Sequence, residues 1–126
     1  MRVKVETTGA PQAIGPYSQG VKANGFLFTS GQISLDPETG QMTATDVVAQ
    51  THQVMSNLKA VLAAEGLTFA DVVKTMIFLT NLDEFQRVNE AYGTYFESDP
   101  PARSTVQVAA LPKGAKVEIE AVAALP

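Results

Sequence analysis

Cysteine does not occur in this chain. Its absence excludes disulfides, a thiolate nucleophile and every metal site built on sulfur, and it makes a cytoplasmic protein the natural reading. Histidine occurs once, at position 52, beside the apolar stripe of a helical pattern. A lone imidazole without other ligand residues belongs to a surface or a packing contact, and His52 is given no chemical role. Long hydrophobic runs are missing as well: nothing approaches the roughly 18 apolar residues of a membrane span. The opening "MRVKVETT" alternates apolar and polar residues as a strand does, where a secretory signal is continuously apolar. Positive charge is scarce. Nine Lys and Arg stand against thirteen Asp and Glu, the net charge is −4, and no basic cluster occurs. Nucleic-acid affinity comes mainly from neutralised phosphates, so this balance argues against a nucleic-acid partner.

What is present suffices for a single domain over residues 1–126, with no repeat, linker or low-complexity segment. "GVKANGFLFTSG" predicts a β-hairpin turning at Asn24-Gly25. Asp46 is placed to cap a long helix in which Val47, Val54, Met55, Leu58, Val61 and Leu62 recur at helical spacing, and Gly66 ends it. Val72 to Thr80 is apolar at nearly every position and reads as a central strand covered on both faces. Asn81 with Glu84 predicts a capping box. The helix that follows carries Leu82, Phe85, Val88, Tyr92, Tyr95 and Phe96 along one face, and Pro100-Pro101 prevents its continuing.

Two further β-type stretches flank Pro112-Lys113-Gly114. In the second, Val117, Ile119, Ala121 and Ala123 point one way while Glu118, Glu120 and Val122 point the other. In the first, Val106 and Val108 share a face opposite Thr105, Gln107 and Ala109, and the apolar sets are expected to meet the helices. The fold class is therefore α+β: one mixed sheet with two helices packed on one face. Its other face is left to solvent or to another subunit. The doubly apolar central strand favours the subunit.

Arg103, before the first of these strands, and Glu118 inside the second admit two accounts. Either Arg103 pairs with a glutamate and the ions set the register of assembly, or the two do chemistry. A guanidinium offers a planar pair of donors that fixes a small carboxylate in one orientation. A carboxylate within reach of the reacting carbon can hold and activate a water. A clamp plus one such carboxylate suits hydrolysis of an already electrophilic group, not of an amide.

Four separated blocks carry a resemblance: "AIGPYSQG", "FTSGQI", "VNEAY" and the C-terminal "PARSTVQVAALPKGAKVEIEA". Over essentially its full length the chain resembles the Rid family, also called YjgF. The resemblance implies a homotrimer of chorismate-mutase-like subunits with clefts at the subunit boundaries. It also implies hydrolysis of 2-imino acids and their enamine tautomers, such as 2-aminoacrylate, to 2-ketoacids and ammonia, with no cofactor. Such intermediates leak from pyridoxal-phosphate dehydratases. By position, Arg103 matches the family's carboxylate-binding arginine and Glu118 its water-positioning glutamate. Tyr17, Ser30, Gly31 and Asn89 fall at positions that line the cleft. Thr105 stands where many members carry cysteine, which fits a mechanism using water directly and leaves its backbone amide and carbonyl available to substrate. The rival reading is a small-carboxylate-binding regulatory or chaperone-like trimer, or an RNA-acting translation inhibitor.

Overall fold

The computed structural model describes residues 1–126 as one mixed sheet and two helices. The strands are β1 (Val3–Val5), β2 (Gly20–Ala23), β3 (Phe26–Thr29), β4 (Val72–Leu79), β5 (Ala102–Gln107) and β6 (Val117–Ala124). Helices α1 (Val47–Ala63) and α2 (Phe85–Gly93) complete it. Across the sheet the order is β1-β2-β3-β6-β4-β5, with β4 and β5 parallel and every other pair antiparallel. The last strand of the chain is thus inserted at the centre, between β3 and β4.

Local chemistry accounts for most of the boundaries. Asn24 (φ 51°) and Gly25 (φ 84°) both take the left-handed conformation that a two-residue hairpin turn demands. The Asp46 side chain accepts the Val48 N–H at 3.0 Å and so caps α1. At the other end Gly66, at φ 71°, lets the Leu67 N–H return to the Leu62 carbonyl. Asn81 caps as expected, accepting the Asp83 N–H, but the turn it opens is a short 3₁₀ segment and the reciprocal Glu84 bond is missing. Glu84 instead accepts from Arg87, whose guanidinium also reaches Asp46 at 2.7 Å and ties the starts of the two helices together. Helix α2 is shorter than the apolar pattern implied. It stops at Gly93, with Tyr95 and Phe96 in the turn beyond, while Leu82 is exposed.

Both helices cover one face of the sheet. Val54, Met55 and Leu58 of α1 and Val88 and Tyr92 of α2 pack with Ile77, Leu79, Val117 and Ile119. A second cluster joins Val61 and Leu62 to Leu27, Val72, Ala121 and Ala123. In β6 the alternation holds as expected: Val117, Ile119, Ala121 and Ala123 are buried, and Glu118, Glu120 and Val122 are only half-buried on the far side. Strand β4 departs from expectation. Within the protomer it is buried on one face only, with Met76 and Phe78 half-exposed on the other.

Strand β5 is turned the other way from the sequence-based expectation. Its parallel register sets Arg103 beside Thr75, Thr105 beside Ile77 and Gln107 beside Leu79, all on the helix side, and Val106 beside Phe78 on the open side. The expectation assumed that apolar residues face helices. That rule fails at an edge strand, where the helix-side positions lie at the rim of the core and stay polar.

Candidate active site

The structure divides the expected site residues between two places. Glu118, Tyr17, Ser30 and Gly31 line one cavity of about 370 Å³, together with Pro11, Ile14, Ile33, Leu35 and Lys113. Arg103, Asn89 and Thr105 lie elsewhere, where β5 meets α2. Through the strand registers Arg103 and Glu118 are two strands apart, three residues offset and on opposite faces of the sheet. One protomer does not bring them to one small molecule.

At the first place, Glu118 projects from β6 toward the backbone that follows β3. A Cβ at Gly31 would come within 2.7 Å of its carboxyl carbon, so glycine is what gives this carboxylate its seat. Burial pushes the Glu118 carboxyl above its ordinary range, and neighbouring Glu120 adds to the rise. The Ser30 hydroxyl donates to the Ser18 carbonyl at 2.5 Å and latches the Tyr17 loop to the end of β3. No base stands behind that hydroxyl, so Ser30 is a latch and a wall and not a nucleophile. Tyr17 is half-exposed over the cavity, its hydroxyl at 3.5 Å from the Ile14 N–H.

Two buried amides that sequence reasoning passed over hold this architecture in place. The Gln19 side chain accepts the Thr7 N–H at 2.7 Å and donates to the carbonyls of Thr7, Ala10 and Pro11, so one residue ties down the loop before Tyr17. Asn57 of α1 donates to the carbonyls of Ile33 and Leu35, fixing the cavity's apolar wall. Each is a polar residue enclosed by the fold, and polarity inside the α1 stripe was the only signal for Asn57.

At the second place, Arg103 donates from Nη1 to Asn89 Oδ1 at 2.6 Å. Its Cζ lies 5.5 Å from the Phe85 ring centre and 5.2 Å from that of Tyr92. No carboxylate of the same chain comes within ion-pairing distance of it, so no ion pair with Arg103 forms inside one protomer. The guanidinium is held, half-exposed and unneutralised. Two residues along, the Thr105 hydroxyl is buried without a hydrogen-bond partner. No three of the His, Asp and Glu side chains converge into a metal-binding group.

Fold and site together define an α+β protein that presents an arginine without a carboxylate partner in its own chain and, at a separate place, a partly desolvated carboxylate. The family model described as Endoribonuclease L-PSP matches residues 7–125. The chain belongs to that family, the Rid or YjgF family. It is 60% identical to protein DfrA of Myxococcus xanthus over 97% of this chain and 95% of that one. It is 48% identical to the 2-iminobutanoate/2-iminopropanoate deaminase of Mus musculus, covering 98% and 91%. Among solved structures, E. coli TdcF with bound serine superposes with a TM-score of 0.94 at 44% identity, covering 98% of this chain and 99% of that one. The sequence resemblance to the Rid family therefore holds. No helix is long and apolar enough to cross a membrane.

Proposed function

We propose that the protein hydrolyses 2-imino acids and their enamine tautomers, 2-aminoacrylate among them, to 2-ketoacids and ammonia. The observation that carries this reading is the unpaired Arg103, a rigid cation with no carboxylate of its own to neutralise it. It binds the substrate carboxylate, and the enamine tautomerises to the imine. Glu118 holds a water against the imine carbon; its raised pKa makes it a stronger base than an ordinary carboxylate. The water oxygen bonds to carbon, the carbinolamine forms, and its C–N bond breaks to release ammonia and leave the ketoacid. Imines of this type hydrolyse unaided, so proximity and electrostatics suffice. Relatives that carry the name 2-iminobutanoate/2-iminopropanoate deaminase support the assignment.

Because Arg103 and Glu118 lie on opposite faces within one protomer, the reading requires that a second copy complete the site. We assign that role to a homotrimer closed over the open sheet face, where Phe28 is 45% exposed and Phe26 and Val106 are each 39% exposed. Arg103 of one protomer then meets Glu118 of the next in a cleft at the subunit boundary.

The test is ammonia release from 2-aminoacrylate generated in situ by a dehydratase. Arg103→Ala is expected to lose about 100-fold or more in kcat/KM while keeping its fold and assembly. A rate equal to the parent protein's overturns the reading. RNA cleavage that survives the same substitution would favour the ribonuclease activity in the family's description, which the acidic composition opposes.

A further inference from the structure

The side chains around Arg103 come from one helix at fixed spacing. Phe85, Asn89 and Tyr92 stand at i, i+4 and i+7 of α2, hence on a single face. At 1.5 Å rise per residue, Phe85 and Tyr92 are about 10.5 Å apart along the axis. The Arg103 Cζ lies 5.5 Å from the Phe85 ring centre and 5.2 Å from that of Tyr92, so the guanidinium is within cation–π reach of both rings. Asn89, between them in sequence, takes one N–H at 2.6 Å. The far ring is itself anchored: Tyr92 is buried and shares a 2.7 Å hydrogen bond with Thr75, the residue beside Arg103 in the β4–β5 register. The near end is tied too, since the Leu82 N–H donates to Gln107 of β5 at 2.8 Å.

We infer that Phe85 and Tyr92 are positioning residues for carboxylate capture, a ring cradle that sets the rotamer and plane of the Arg103 guanidinium before substrate arrives. An arginine free in solvent loses its rotamer freedom when it grips an acid, and this one has lost that freedom on folding. The rings stand where water would otherwise solvate the cation, and they attract it through their π faces. Four of its five N–H groups are left for the ligand. The inference rests on the reading that Arg103 binds the substrate carboxylate, and it adds that the affinity of the clamp is set from α2, by residues that do not touch the substrate.

The experiment measures kcat, KM and the dissociation constant of pyruvate by calorimetry for Phe85→Leu, Phe85→Tyr, Tyr92→Leu, Tyr92→Phe and Arg103→Ala, beside the melting temperature of each. Phe85→Leu and Tyr92→Leu are expected to raise KM and the pyruvate constant about tenfold with kcat within about twofold of the parent. The ring-keeping variants Phe85→Tyr and Tyr92→Phe are expected to restore both. Phe85 is only half-buried, so Phe85→Leu decides the matter alone should Tyr92→Leu fail to fold. Pyruvate binding unchanged in Phe85→Leu, or a loss confined to kcat, overturns the cradle while Arg103→Ala still abolishes binding. If Arg103→Ala binds pyruvate as the parent does, the clamp reading itself fails and the cradle fails with it.

Discussion

Gly31 and Glu118 are a matched pair, and the match is steric. With hydrogen in place of Cβ, the backbone after β3 lets the carboxyl carbon lie where a methyl group would be only 2.7 Å away. Gly31→Ala should therefore expel the carboxylate and lower kcat by about tenfold or more, with a melting temperature close to the parent's. Steady-state kinetics beside a thermal melt will show it. The lifted pKa of Glu118 has two consequences of definite sign. Water activation needs the ionised form, so kcat/KM should rise with pH through a pKa above the ordinary carboxylate range and then level off. Stability runs the other way. The folded protein holds this proton more tightly than the unfolded chain does, so ionisation costs stability above the folded pKa and costs nothing below the unfolded value. Glu118→Gln should raise the melting temperature at about pH 7, with the gain vanishing near pH 4. Because the group is half-exposed, solvent screens the gain to below about 1 kcal/mol.

At the scale of elements, the sequence was most legible where a local rule fixes the backbone. Asn24-Gly25, the Asp46 cap, the Gly66 stop and the alternation of β6 all follow from residues within a few positions of one another. Helix α2 and strand β5 were less legible, for a common reason. Phe85 and Tyr92 read as a core stripe, yet one of them is half-exposed and both face the arginine. Strand β5 has no apolar alternation strong enough to announce its orientation, which follows from pairing with β4 some thirty residues earlier in the chain. Helix α1 does more than cover the sheet, because Asn57 holds the cavity wall by the carbonyls of Ile33 and Leu35. Asn57→Ala would leave both without that donor inside the fold. It should cost about 1–3 kcal/mol in chemical denaturation and raise KM.

At the scale of the whole molecule, the proposed reaction needs more than a single copy. Its open face exposes Phe26, Phe28 and Val106, and its two catalytic candidates point away from one another. A shared site makes a prediction that a site contained in one protomer cannot. Arg103→Ala and Glu118→Gln proteins, each inactive alone, should regain activity when mixed under conditions that let subunits exchange. Random assembly of equal amounts leaves roughly one boundary in four with both groups intact, so about a quarter of the parent rate is expected. No recovery, with exchange verified by mass spectrometry, would place the two groups in separate functions.

The sequence by itself determined the α+β class, the hairpin, the two ends of α1, the buried face of β6 and the family, because each is written in spacing or in contiguous blocks. It also named Arg103, Glu118, Tyr17, Ser30, Gly31, Asn89 and Thr105 as candidates. Only the tertiary structure decided which of them meet. The face on which a strand's side chain falls depends on its register with a distant strand, and one residue of slip would exchange the faces. That register sets Arg103 against the Phe85 and Tyr92 rings of α2 and Glu118 against Gly31 on the opposite side of the sheet.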